Sequence, residues 1–357
     1  VARVLVRDII TTLNTITGGR VVTDQSERFN GSNPFVTLKS SNIPGKEVME
    51  VPGLVYGDPS MPVHKVAVVM TLTESVVELA AASGVNALVV HHPVADAAST
   101  GGVPLKDYLS HYNLAIFELH EAFHGLHPGI ALLHGHEPIF TDTCFGGIVG
   151  NVVMVGKPLD GIKNLSHILS RLELLMAQQQ DMRLLDAERK IFDSLDLQET
   201  NALESGAIIE GDPNNEVGLI LHCFPHTGFS VENLNSILEK YPAIRTVIAS
   251  ISKVRNQHPL IAVCAAKGLN LINGNSHALE IWENGLPLAY AIQTLLPDVE
   301  VVVYRERVTS YPLAAAGARE LRRYARQMAF SYLLGHETGR GNIDEQISDV
   351  KEAKFNE

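Results

Sequence analysis

Apolar positions along the chain follow two rhythms. Solid runs of Val, Ile, Leu and Ala alternate with stretches in which apolar residues recur every three or four positions. Solid runs predict strands buried on both faces of a parallel sheet, and spaced ones predict amphipathic helices. Residues 1–16 predict a helix, and residues 20–62 predict loops and short strands. Turns are expected at Asn30-Gly31, at Asn42–Gly45 and at Gly53-Leu-Val-Tyr-Gly57. His64–Met70 (HKVAVVM) predicts a strand, and residues 73–83 a helix with Thr71 and Glu74 as its capping box. Leu88–His92 predicts the next strand, which Pro93 forbids from continuing. A Gly/Ser/Ala-rich bridge (Ala95–Gly102) and a short helix over Pro104–His111 lead to a third strand, Asn113–Leu119 (NLAIFEL).

The rhythm loosens and then returns. Residues 145–155 predict a glycine-flexed strand, and Asp160 is the expected cap of a helix carrying Ile162, Leu165, Ile168, Leu169, Leu172 and Leu175. Residues 177–215 give only short helical and strand hints. Strands are expected at Val217–Phe224, Ile244–Ala249, Leu269–Asn273 and Val299–Tyr304. The helices between them are a Ser230-capped one through Lys240, Pro259–Lys267 and Pro287–Leu296. Residues 313–334 predict a long terminal helix with Arg322, Arg323 and Arg326 on its polar side, and a polar tail starts at Gly339. The expected fold class is α/β. A first α/β domain spans 1–150, an inserted middle α+β module 151–240, a second α/β half 241–340 and a polar tail 341–357.

Composition narrows the choices. A chain of 357 residues with 45% hydrophobic content can bury a substantial core. Its formal net charge of −12 argues against a nucleic-acid partner, because phosphate contacts need clustered Lys and Arg. No apolar run is long enough to span a bilayer, so no membrane association is expected. Cys144, Cys223 and Cys264 have no close spacing, which fits a reducing, cytoplasmic setting without disulfides or a thiolate zinc site.

Candidate chemistry sits where the predicted strands stop. Of 15 histidines, eight fall between residues 91 and 136, and His91, His92 and His120 occur at strand ends. Ligand sites of parallel sheets lie beyond those ends. Neutral imidazole is a common ligand for zinc, iron and nickel. The alternative is that these histidines are hydrogen-bonded strand-end residues with no ligand. Charge balance for two divalent ions needs a carboxylate, and Glu280 in NSHALE is the candidate, with His277 three positions before it. His222 and His226 in HCFPH are at most lining residues, since Pro225 breaks helical spacing between them. His120-Glu121-Ala122-Phe123-His124 matches HExxH, the zincin peptidase pattern. That pattern requires a helix, and this one follows a predicted strand.

Taken together, Gly53-Leu-Val-Tyr-Gly57, His91-His92-Pro93, the His120–His124 segment and Asn275–Glu280 resemble the GLxxG, HHP, HTxxD and GHxxxE segments of the NIF3-like (DUF34) family. Members of that family are often labelled type 2 GTP cyclohydrolase I homologues. The resemblance is strong over residues 50–130 and 255–305. It implies two related α/β domains, a dinuclear metal centre between them, and dimers assembled into a hexamer. By position it carries over His91 and His92 as ligands and Glu280 as a bridging ligand, with His120 at the histidine of HTxxD. Two positions depart from the pattern: His124 stands where the family has aspartate, and Ser276 where it has the late histidine, with His277 one step along.

The expected metal set is therefore His91, His92, His120, His124, His277 and Glu280, holding one or two divalent ions per chain (zinc, iron, manganese or nickel). The first functional expectation is a metal-dependent hydrolase of a small nucleotide-like or phosphorylated compound, with His124 or His226 moving protons. The second is a non-catalytic metal-binding or regulatory assembly protein, and the zincin peptidase ranks last. An open ligand position separates the first from the second, whose site would be closed.

Overall fold

The computed structural model describes residues 3–40, 47–94 and 109–334. The bridge at Ala95–Gly102, the turn at Asn42–Gly45, most of the helix expected over Pro104–His111, and the tail lie outside the described residues.

A helix, Val6–Ile16, opens the chain and buries Val6, Ile9 and Leu13. It starts later than expected because Leu5 is engaged in a bridge to Pro62. Strands β1 (Thr37–Ser40) and β2 (Glu47–Glu50) pair antiparallel. They are followed by β3 (Gly53–Tyr56), β4 (Lys65–Val69), β5 (Ala87–Val90) and β6 (Ala115–Glu118). The helix Glu74–Ala82 lies between β4 and β5, capped by Thr73, whose side chain accepts from the backbone N–H of Val76 at 3.3 Å. Thr71, expected as that cap, faces His92 instead.

Next come β7 (His136–Asp142), β8 (Val153–Pro158), β9 (Gln198–Glu199), β10 (Ala207–Glu210), β11 (Leu219–Cys223), β12 (Ile244–Ile251), β13 (Asn270–Ser276), β14 (Glu300–Val303) and β15 (Thr309–Ser310). Among the described residues they build two large sheets and two small pairs. The first large sheet has the order β14-β4-β5-β6-β3, and the second β10-β13-β12-β11-β8-β7. In the first, β14, β4, β5 and β6 run parallel with β3 antiparallel at the edge. In the second, β11, β12 and β13 are parallel and flanked by antiparallel neighbours. This is a mixed α/β fold.

Burial explains the parallel cores. All four residues of β5 and all four of β6 are buried. Side chains leave both faces of the first sheet into separate clusters, one around Val66, Val68, Val89 and Phe117 and another around Ala67, Leu88, Val90 and Ile116. Full burial of a Val or Leu side chain contributes about 1.5–3 kcal/mol.

Several elements differ from the sequence reading. Gly53–Tyr56, expected as a plain turn, is the edge strand β3. Gly57 follows it at φ +119°, where a Cβ would meet Ala115 Cα at 2.9 Å, so only glycine lets the edge lie this close. The strand expected at 145–155 is a short turn at Phe145–Gly147 followed by β8. The helix Leu165–Leu175 is capped by Asn164, which accepts from His167 N–H, and not by Asp160. The indistinct stretch after it contains a full helix, Gln178–Ile191, that buries only Asp181 and Leu185 and so leaves little apolar signal. Strand β14, expected with the second half of the chain, pairs with β4 in the first sheet. The terminal helix is limited to Arg319–Met328, extended by a π-helical turn at Ala329–Leu333.

Two compact units divide the chain. One comprises residues up to Gln179 together with Glu204–Arg307 and contains both large sheets; the other comprises Gln180–Leu203 and the segment from Val308 onward. The second unit has its own small cluster of Leu185, Leu197 and Ala315 and the β9–β15 pair. No helix among the described residues is long and apolar enough to cross a membrane.

Candidate metal centre

The sheet ladder places the histidine pair. Beyond β5, His91 N–H still donates to Val69 O (3.0 Å) and His92 N–H to Met70 O (2.8 Å). The two imidazoles are thus held at the carboxyl end of the sheet by the strand's own register. Beyond β6, Leu119 N–H donates to Val90 O at 2.9 Å, and His120 follows. Residues 121–125 then form turns, with Phe123 N–H donating to His120 O. No helix carries His120-Glu121-Ala122-Phe123-His124, so the zincin reading is set aside. The strand-end reading of His120, with His124 further into a loop, describes what is seen.

Glu280 arrives from the other sheet. Chain leaving β13 makes a 3-10 turn, His277–Leu279, and a π-helical turn, Ile281–Gly285, before the helix Leu286–Leu295. Ile281, Leu288 and Ile292 are buried in the core of the first sheet. Glu280 therefore sits where the chain crosses from the second sheet to the first, and that crossing brings it to residues 188 positions earlier.

Nε2 of His92 lies 3.0 Å from Glu280 Oε2, and Nε2 of His91 lies 3.4 Å from Glu280 Oε1. Asn284 Nδ2 donates to Glu280 Oε1 at 3.1 Å and steadies the carboxylate. His91 Nδ1 is 3.0 Å from Leu119 O, and a carbonyl only accepts, so Nδ1 carries the proton. The neutral ring then presents the Nε2 lone pair to the centre, and this buried atom has no hydrogen-bond partner. A buried acceptor aimed at a carboxylate oxygen is unfavourable by itself. A cation between the two relieves it, so these residues fit a divalent ion.

The other imidazoles surround this core. His120 Nδ1 lies 3.1 Å from Glu50 Oε2, and His124 Nδ1 lies 3.0 Å from Glu121 Oε2. His92 Nδ1 lies 3.0 Å from Thr71 Oγ1. Three groups bring one ligand atom per residue within 4.8 Å of one another: His91, His120 and His124; His91, His92 and Glu280; and Glu50, His120 and Glu121. His277 belongs to none of them, yet its Nε2 is 3.6 Å from Glu280 Oε2 and its side chain is 52% exposed. It marks the open rim, and its neighbour Ser276 is buried with an unpartnered hydroxyl. His226, in the turn after β11, stands with its ring 5.3 Å from that of His277. His222 takes no part here, being fully buried between His136 and Ser250.

Electrostatics separate the members. Burial would raise the Glu280 carboxyl, but the His92 imidazole 3.0 Å away holds it well below the usual carboxylate range. Burial pushes His91 down, and pushes His120 well down with help from neighbouring imidazoles. Burial also opposes charge on His92, but the Glu280 hydrogen bond and charge, together with Glu306 and Glu50, raise it above 6.5. Burial lowers His277, and lowers His226 to about 4. Neutral imidazoles at pH 7 are competent ligands and bases.

Sequence reasoning named His91, His92, His120, His124, His277 and Glu280, and the fold brings them together. It missed Glu50, which lies in a stretch with no pattern, and it used Thr71 as a cap. Glu121 was visible only as the second residue of a motif whose helix does not form.

The fold and this geometry define a class, an α/β protein with a His/Glu cluster able to bind metal. Residues 39–98 match the family described as Duf34/NIF3 (NGG1p interacting factor 3), a stretch that includes the HHP strand end. Among solved structures, reduced HcgD from Methanocaldococcus jannaschii is similar with a TM-score of 0.51 at 13% identity, covering 85% of this chain and 98% of that one. Protein ybgI, described as of unknown function, gives a TM-score of 0.50 at 14% identity, covering 84% of this chain and 98% of that one. At these identities the likeness concerns the fold. No curated protein sequence matches the chain. The resemblance to that family is thus carried by residues 39–98, and the solved structures show a shared fold.

Proposed function

We propose that this chain holds a dinuclear metal centre and uses it to hydrolyse a small nucleotide-like or phosphorylated compound. The observation carrying the metal half is the orphaned, buried Nε2 of His91 facing the Glu280 carboxylate. His91, His92 and Glu280 would hold one divalent ion, and His120 and His124 would serve the second. Zinc, iron, manganese and nickel suit an imidazole-rich set with carboxylate. Bound divalent ions would supply Lewis acidity and make water more acidic.

The chain's own residues then divide the remaining work. Glu280 stays ionised because His92 holds its carboxyl well down, so it offers charge at neutral pH. Of the two histidines expected to move protons, His226 is the better placed. It is neutral at pH 7 and stands next to the exposed His277, whereas His124 Nδ1 is engaged by Glu121. His277 on the rim would orient an entering substrate.

The nucleotide-like substrate class rests on the family resemblance, as does the reading of the two sheets as related halves with an inserted module. The same resemblance supports dimers assembled into a hexamer. Sedimentation velocity reads this directly, and a monomer at micromolar concentration would overturn that part.

A second reading, metal handling without catalysis, is favoured by the burial of His91 and Glu280. Comparison of metal-free and metal-reloaded protein against a panel of nucleotides and phosphate esters separates the two. The catalytic reading expects turnover only in the reloaded sample. A fully loaded protein that leaves every compound intact would leave the non-catalytic reading standing.

A further inference from the structure

Four imidazoles of the centre share one feature: each has its Nδ1 held from behind by a different partner. Leu119 O holds His91, Thr71 Oγ1 holds His92, Glu50 Oε2 holds His120, and Glu121 Oε2 holds His124. For His91 the direction of the bond is fixed, because a carbonyl cannot donate. For His120 and His124 the partner is a carboxylate.

Glu50 and Glu121 could act in two ways. As ligands, they would join His120 through its Nδ1 at a position of their own, since the three ligand atoms lie within 4.8 Å of one another. As supports, they would accept hydrogen bonds from the Nδ1–H groups and leave Nε2 of His120 and His124 as the binding nitrogens. The two roles exclude each other at His120. A nitrogen whose N–H donates a hydrogen bond to Glu50 has no lone pair for an ion, and a nitrogen bound to an ion has no hydrogen to donate.

Geometry favours support. Glu121 is the residue after His120, and its Oε2 reaches His124 at 3.0 Å while its Oε1 stays 3.8 Å from His120. Its tighter contact is therefore a hydrogen bond along the turn. Glu50, at the end of β2, reaches across to His120 at 3.1 Å with a side chain that is only 4% exposed. Both arrangements repeat the pattern that Leu119 O imposes on His91. A carboxylate behind a ligating histidine fixes the tautomer and the ring orientation and makes the imidazole a stronger donor.

We propose that Glu50 and Glu121 are positioning residues that lock His120 and His124 as Nδ1–H tautomers with Nε2 turned to the metal. This rests on the metal reading above.

The test uses the full-length protein and zinc as the probe. Glu50→Gln and Glu121→Gln are each compared with wild type for ions bound per chain and for affinity in chelator competition. Circular dichroism confirms folding, and either variant alone suffices. Gln removes the charge but keeps an oxygen that can accept the Nδ1 proton. The expected result is an unchanged number of ions with affinity lowered about 10–100-fold. Loss of an ion from either variant makes the carboxylate a ligand and overturns the proposal. Unchanged number and unchanged affinity also overturn it. Wild-type protein that takes up no zinc, with cobalt, nickel, iron and manganese also failing, sinks the metal reading itself, a distinct outcome.

Discussion

At the residue scale, the centre depends on which nitrogen of each histidine is committed. A carbonyl behind His91 and a hydroxyl behind His92 turn both Nε2 atoms towards one carboxylate, at 3.4 and 3.0 Å. Glu280 faces both, and it is 5% exposed. Glu280→Gln should therefore weaken metal binding more than any change on the rim. Elemental analysis after dialysis against zinc is expected to show the ion shared with His91 and His92 depleted, whereas His277→Ala should leave that ion in place. Retention of both ions in Glu280→Gln would show that the carboxylate is a bystander. His91 and His92 were legible from sequence because they end a solid apolar run, and Glu280 because two ions need a carboxylate and its segment resembles a family motif. Glu50 was not legible, since a carboxylate at the end of a short edge pair has no periodicity to distinguish it.

At the element scale, the second sheet carries a buried chain of polar groups. His134 Nδ1 donates to Ile130 O (2.7 Å), so its Nε2 accepts, taking Asn275 N–H (3.0 Å) and the Ser250 hydroxyl (3.1 Å). Ser250 Oγ must then accept from His222 Nε2 (2.7 Å), and His222 Nδ1 from His136 Nε2 (3.0 Å). Gly156 on β8 makes the crossing possible, as a Cβ there would meet His136 Nδ1 at 2.2 Å. Burial lowers His134 to about 4 and His136 to about 3, and pushes His222 well below its ordinary 6.5. Above pH 6.5 these rings are neutral in the folded and unfolded chain alike, and stability is complete. As pH falls below 6.5 the unfolded chain takes up protons that the fold refuses, so stability falls by up to about 1.4 kcal/mol per ring per pH unit. Chelator-treated protein should lose melting temperature steadily from pH 7 to pH 5. Ser250→Ala, which strands the buried His222 Nε2 and leaves His134 Nε2 with Asn275 N–H alone, should cost about 1–3 kcal/mol in urea denaturation at pH 7.5. A flat pH profile together with an unaffected variant would contradict this account of the network. Strands β11 and β12, which bear His222 and Ser250, were legible from their apolar runs; β7, which bears His136, was not, because its residues alternate between buried and more exposed positions. The helix Gln178–Ile191 and the true limits of the terminal helix were not, because Gln178–Ile191 buries two residues and Arg319–Met328 none.

At the scale of the whole molecule, the centre exists because the chain returns. It builds the first sheet through β6, lays down the second, and then re-enters the first through Glu280, the helix Leu286–Leu295 and β14. Sequence rhythm showed both βα series but not this return. Nothing in an isolated apolar run says which sheet it will join, and Val299–Tyr304 reads as well beside β13 as beside β4. Burial of Ile281, Leu288 and Ile292 against the first sheet is what decides it. The central claim is that imidazoles of one sheet and a carboxylate from the far end of the other share an ion. Anomalous diffraction from a crystal grown with zinc, recorded above and below the metal edge, tests it most directly. The account predicts a peak enclosed by Nε2 of His91, Nε2 of His92 and the Glu280 carboxylate, with a second beside His120 and His124. Zinc bound only at surface sites, with no peak within bonding distance of Glu280, would contradict it.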